Sequence, residues 1–132
     1  MRTLLLIIMT FSATIIMGQK SVEWIGGTPG KETCWNEPRN WSDHKVPNEF
    51  SNVFIGKTSA SVVHFPVISE GLIELNSINL SNQATLKLDA SAELIIYDSA
   101  TGIFSNNFVA DGRVVMVEEA LGHNESIVVV NN

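Results

Sequence analysis

Cysteine is almost missing from this chain: Cys34 is the only one in 132 residues. With no partner inside the chain it staples nothing, and stability has to come from packing and hydrogen bonds. A buried small hydrophobe beside Trp35 is the preferred reading of Cys34 over a reactive thiol, since no His or Arg is clustered with it. Metal chemistry is as poorly supplied. His44, His64 and His123 show neither His-x-His nor His-Glu-x-x-His spacing, and no cysteine pair completes a zinc set, so no metal site and no cofactor is expected. Basic residues are few, 8 Lys and Arg against 14 Asp and Glu. That balance lacks the positive footprint a nucleic-acid partner requires. Asn-Gly turns are absent and Asp111-Gly112 is the one Asp-Gly pair, which argues against a run of two-residue hairpins. There is no Gly-x-Ser-x-Gly elbow and no phosphate-cradling glycine loop.

Only one apolar run is long. Leu4 to Met17 follows Arg2 and closes on Gly18-Gln19. A bilayer span takes about 20 apolar residues and a basic stop-transfer flank, and this run has neither, so it reads as a signal peptide over residues 1–18. Cys34 is no lipid-attachment site, because Gly30-Lys31-Glu32-Thr33 precedes it instead of a small-residue box at the end of the apolar run. Removing 18 of 132 residues leaves 114, enough for one domain, 19–132. The expected product is secreted, periplasmic or held at the cell surface, with no membrane span after cleavage.

Two of the three tryptophans, two prolines and two asparagines fall in the stretch from Cys34 to Pro47. Pro38 and Pro47 forbid a long helix there, while Asn36, Asn40 and Asp43 close turns onto their own backbone. From Asn52 onward the chain changes character. Apolar or alternating runs recur at Val53–Ile55, Ser61–Phe65, Leu72–Leu75, Ser77–Leu80, Thr85–Leu88, Glu93–Tyr97, Arg113–Val117 and Ser126–Val130. Ile73 and Leu75 flank Glu74, Ile78 and Leu80 flank Asn79, and Leu86 and Leu88 flank Lys87, the period of two that marks a strand with one polar face. Ser77–Leu80, Glu93–Tyr97 and Arg113–Val117 start sixteen and then twenty residues apart. Such spacing predicts an all-β fold, a short right-handed parallel β-helix or β-solenoid, in which inward Leu, Ile and Val form a continuous column. An antiparallel sandwich is the alternative. Residues 19–51 would form a tryptophan-rich capping loop and 52–132 the rungs.

The pattern Trp24-x-Gly26, Trp35-Asn36-x-x-x-Asn40-Trp41-Ser42-x-x-x-Val46-Pro47, then Asn52-Val53-x-Ile55 resembles the opening of secreted repeat-bearing proteins of Bacteroidetes-type bacteria. Ile78-x-Leu80, Ala84-Thr85-Leu86-Lys87-Leu88 and Ala92-Glu93-Leu94-Ile95-Ile96 continue it in the manner of their rungs. The resemblance spans Val22 to Ile96. It implies export and a β-helical surface or extracellular protein, such as a filament, an adhesin or an appendage of a larger enzyme. Asn52 departs from the pattern, standing where Asp is common, and no sorting domain follows Asn132.

Three functional readings remain open. The first is a non-enzymatic structural or adhesive surface module, in which Trp24, Trp35, Asn40, Trp41 and Pro47 form a structural cap over the end of the apolar column. The second is a carbohydrate-binding module, with Trp35 and Trp41 stacking on sugar rings. The third is the stub of a β-helical polysaccharide-degrading enzyme. Glu70 with Glu74, and Glu118 with Glu119, are the densest carboxylate pairs, but on a strand Glu118 and Glu119 point to opposite faces and Glu70 sits in a turn, so no catalytic residues are assigned. His64 reads as a surface residue of a strand. Asn40, Asn79 and Asn124 head Asn-x-Ser triplets and Asp98-Ser99-Ala100 resembles an O-glycosylation triplet, all short patterns with frequent chance matches. Partners are expected at the Val-rich strand 126–130, whose outer edge has no obvious block, either a second copy or the next piece of a larger assembly.

Overall fold

The computed structural model describes residues 18–56, 64–103, 107–119 and 125–130. The signal-peptide reading of residues 1–18 and most of the strand expected at Ser61–Phe65 lie outside these residues. The fold is all-β, with β1 at Lys20–Glu23, β2 at Ser51–Ile55, β3 at Val67–Leu80, β4 at Leu86–Thr101, β5 at Phe108–Ala110, β6 at Arg113–Glu119 and β7 at Glu125–Val130. A single 3-10 turn, Pro38–Asn40, is the one helical feature among the described residues. The strands form one sheet in the order β1-β2-β3-β4-β6-β7, with β5 paired to β4. Every pairing is parallel except that of β6 with β7.

β3 and β4 are much longer than the runs that announce them. Leu72–Leu75 and Ser77–Leu80 are one strand, as are Leu86–Leu88 and Glu93–Tyr97. Register shifts between Ile68 and Glu70 and between Leu75 and Ser77 divide β3 against β4 into three segments. A local insertion of this kind bends a strand while leaving its pairing intact on either side. Each segment has its own neighbours. The first carries β5, the second carries β6, and the third carries β2 and through it β1.

Parallel pairing stacks like on like. Val22, Val53, Ile78 and Ala100 lie in one row across the ladders, Ile73, Leu94 and Val114 in a second, and Leu75, Ile96 and Met116 in a third. All of these are buried except Ala100 and Met116, which pack partly buried against the same core. Leu86, Leu88, Leu94 and Ile96 point inward and Lys87 points out, as the alternation predicts.

Three expectations are corrected. Ser77 pairs with Ser99, while Glu93 pairs with Leu72 on one side and Arg113 on the other, so the sixteen-residue step joins segments that are not equivalent. The true offsets are 20 from Val67 to Lys87, 21 from Leu72 to Glu93 and 22 from Ser77 to Ser99. β7 turns back antiparallel on β6 and is no further parallel rung. His64 lies in an irregular segment ahead of β3, where its backbone rather than its ring is put to use.

Candidate functional site

The head is built on two extensions of the parallel ladders. Glu23 pairs with Phe54, and the Trp24 N–H donates to the Phe54 carbonyl at 2.9 Å, which sets Trp24 level with Ile55. Farther on, Cys34 bridges Val67 in parallel, with Val67 N–H donating to Thr33 and Trp35 N–H to Val67. That sets Trp35 level with Ile68. Trp41, bridged antiparallel to Trp24, fills the space between them. Its ring meets Trp24 edge-on at 4.9 Å and Trp35 edge-on at 4.7 Å between centroids. Such T-shaped contacts align the positive ring edge with the negative face and add to the burial of three large surfaces.

The indole N–H groups have unequal fates. Trp41 Nε1 donates to the Trp35 carbonyl at 2.8 Å and Trp24 Nε1 to the His64 carbonyl at 2.7 Å. Trp35 Nε1 is buried without a hydrogen-bond partner among the described residues. The bond to His64 requires a close approach at Gly26, where φ is +60° and a Cβ would sit 2.7 Å from the same carbonyl oxygen. Only glycine fits there.

Asn40 is fully buried at the centre of the loop. Its Oδ1 accepts from the Thr28 N–H at 3.0 Å, and its Nδ2 donates to the Lys31 carbonyl at 2.7 Å and the Cys34 carbonyl at 3.0 Å. The Asn40 carbonyl in turn accepts from the Ile25 and Gly26 N–H groups. One side chain thereby ties together four points of a segment that has no ladder of its own. Glu37 is buried beside it and pairs with Arg39 at 2.8 Å and Lys31 at 3.3 Å. The Arg39 hydrogen bond, against an opposing desolvation, holds its carboxyl down at about 2. Pro47 is buried and Val46 packs partly buried on the core, closing the head onto β2.

Trp24, Trp35, Asn40 and Trp41 are thus brought together and Pro47 is buried, but no sugar-stacking platform is formed. Trp35 is 1 % exposed and Trp41 0 %, so neither presents a ring face to solvent. The bridges Trp24–Trp41 and Cys34–Val67 hold both rings in the hydrophobic core. Cys34, expected to be buried, is only half-buried. Asn40, being buried, is closed to any modifying enzyme, whereas Asn79 is exposed and Asn124 falls outside the described residues.

Glu70 is exposed in β3, and Glu74 accepts from the Tyr97 hydroxyl at 2.5 Å, an interaction that raises the Tyr97 pKa. The side chains of Glu118 and Glu119 fall outside the described residues. At the bend between Leu75 and Ser77, Asn52 Oδ1 accepts from Asn76 Nδ2 and Ser77 Oγ, both at 2.7 Å. Sequence reasoning missed this polar corner, whose only signal is the uninterrupted Asn76-Ser77 in an otherwise alternating run. A shallow depression of about 280 Å³ lies over β1, lined by Ser21, Val22, Glu23, Ser42 and Phe54. Among the described residues no three His, Cys, Asp or Glu side chains could jointly hold a metal ion, and no helix is long and apolar enough to cross a membrane.

Compared with known protein families, with curated proteins and with solved structures, the chain finds no match in any of the three. The class defined by fold and site together is therefore an all-β protein with a parallel sheet and a packed tryptophan head.

Proposed function

We propose that the chain is an exported, non-enzymatic β-solenoid, a short right-handed parallel β-helix headed by its tryptophan cap, that serves as a structural or adhesive module at the cell surface or outside the cell. The observation that carries this reading is the register of β3 on β4. A strand that bends twice and meets its equivalents again after 20, 21 and 22 residues follows the path of a coil, in which each turn buries the apolar row of the last. A coil needs its end covered, and Trp24 and Trp35 stand where the rows ending at Ile55 and Ile68 would otherwise be open. The outward residues of β3 and β4 include Glu70, Asn79, Lys87 and Ser99, a mixed polar surface suited to solvent or to broad weak contacts.

The leader and the motif shared with secreted repeat-bearing proteins support export. Expression of the whole chain in a Bacteroidetes host should yield a mature form beginning at Gln19, outside the cell or accessible to protease on intact cells. It should release no reducing sugar from polysaccharides. A full-length form retained with Met1 inside the cell would overturn export, and turnover lost on Glu70→Gln or Glu74→Gln substitution would overturn the non-enzymatic reading.

A further inference from the structure

Four short modification triplets stand in the sequence, headed by Asn40, Asn79, Asp98 and Asn124, and the structure separates them. Asn40 is fully buried, and Asn124 lies outside the described residues. Asn79 is exposed, but an Asn-x-Ser acceptor also needs its hydroxyl, and the Ser81 Oγ is buried. Asp98-Ser99-Ala100 is built differently. Between the pair Leu75 with Ile96 and the pair Ser77 with Ser99, β3 advances two residues and β4 three. The extra residue interrupts the alternation of β4 and leaves Tyr97, Asp98 and Ser99 exposed in succession. Neighbours on a regular strand point to opposite faces. Here the Ser99 Oγ instead donates to Asp98 Oδ2 at 3.2 Å, its one side-chain hydrogen bond among the described residues. Ala100 returns to the core, level with Ile78. On the far side of β4, β5 pairs with residues 86–88 and β6 with 93–96, so 98–101 has no strand beyond it among the described residues.

We infer that Ser99 is an O-glycosylation site, receiving a sugar from a glycosyl diphosphate donor through a host transferase. The Ser99 Oγ bonds to the anomeric carbon, and the bond from that carbon to the diphosphate breaks with its electron pair on the leaving group. The hydroxyl proton passes to the Asp98 carboxylate, which already accepts its hydrogen bond and lies within the reach of a general base. Each member of the triplet has a place in this. Asp98 orients the hydroxyl, Ser99 supplies the nucleophile, and Ala100 anchors the segment to the core while the open side of the strand admits the enzyme. A glycan on an exposed hydroxyl displaces no packing, whether it is attached before folding or after.

The inference rests on export, and the test keeps the two apart. Residues 19–132 are expressed behind the chain's own leader and, in parallel, behind the leader of a host protein, in a Bacteroidetes host whose exported proteins carry O-glycans. The exported chain should exceed its sequence mass by one glycan, and fragmentation of the tryptic peptide 88–113 should place it on Ser99. Ser99→Ala should remove it and Asp98→Asn should lower its occupancy at least tenfold. Thr101→Ala, which removes an exposed hydroxyl of the same strand with no Asp before it, should leave it unchanged. A chain exported behind the host leader at sequence mass, a glycan on any other residue, or full occupancy in Asp98→Asn would each overturn the proposal. Retention behind the chain's own leader, with a glycan on Ser99 behind the host's, would overturn export and uphold the site. Localisation in the wild-type peptide decides the site even if a variant fails to fold.

Discussion

Asn40 and Glu37 show how single side chains substitute for a missing ladder. Replacing Asn40 with Ala strips partners from the Thr28 N–H and the Lys31 and Cys34 carbonyls at a fully buried point. Leaving buried polar groups unpaired costs about 1–3 kcal/mol each before relaxation, so Asn40→Ala should destabilise the domain by about 3 kcal/mol and lower its melting temperature by more than ~10 °C. Asn36→Ala, at an exposed turn position, should change it by under about 0.5 kcal/mol. Equal losses would show that Asn40 does not hold the loop. Glu37 makes a pH prediction. Its folded carboxyl titrates at about 2 against an ordinary value of 4.5, so the stability it contributes is complete above the unfolded value and is lost as pH falls through that interval toward 2. Melting curves of wild type and Glu37→Gln should lie apart at neutral pH and converge between pH 4.5 and 2. Curves that remain parallel throughout would mean the Arg39 and Lys31 pairs add nothing. Residue type alone predicts that Asn40 closes a turn onto its own backbone, but its side chain instead bonds positions 28, 31 and 34. Those partners are not legible in the sequence, because they lie upstream in a loop whose path is set by packing.

At the scale of strands, alternation was reliable wherever one face is buried and the other wet. Leu88 is fully buried and Lys87 exposed with an ion pair to Asp89 at 2.7 Å. Leu88→Asp should unfold the domain, since a buried unpaired charge costs several kcal/mol, a large share of the stability of a domain this size. Lys87→Asp should cost about 1 kcal/mol or less, the value of an exposed pair and its reversal. Chemical denaturation of the two variants measures the difference, and similar losses would mean the register is misassigned. Bends are the harder feature. The polar pair Asn76-Ser77 and the Asp89-Ala90-Ser91 stretch look like breaks between strands, yet the backbone runs through them in a bulged but continuous pairing. A bend and a break use the same small polar residues, and only the presence of a neighbour to pair with distinguishes them. At the end of β4, Gly102 adopts φ +81°, and a Cβ there would clash with the Leu80 carbonyl oxygen. Gly102→Ala should therefore destabilise by at least about 2 kcal/mol, the sum of left-handed strain and the forced shift, and an unchanged melting temperature would show that the loop yields freely.

Across the whole molecule, the three tryptophans report on the head alone while far-UV circular dichroism reports on the ladders. Because Trp24 and Trp35 extend the rows of Ile55 and Ile68, head and ladders share one core, and urea should unfold both signals in a single coincident transition. A fluorescence transition at lower urea would mean the head is a separable unit. Trp41→Ala should move both signals together by about 3–5 kcal/mol, the loss for a buried large aromatic. What the sequence by itself determined was local: strands by their period of two, the absence of a long helix among the described residues by the prolines of the tryptophan stretch and the missing threefold spacing after it, and the inward set of Leu, Ile and Val by which side of each alternation is apolar. These follow from forces acting within a few residues. Tertiary structure alone decided which strands meet, where β3 and β4 bend, that β7 reverses onto β6, and that Trp35 and Trp41 turn inward instead of facing solvent. Pairing partners lie some twenty residues apart, and many offsets match one apolar row to another equally well, so the choice falls to the summed packing of the column. A tryptophan beside polar residues can pack inward or face solvent, and only the tertiary packing that buries Trp35 and Trp41 against each other decides between the two.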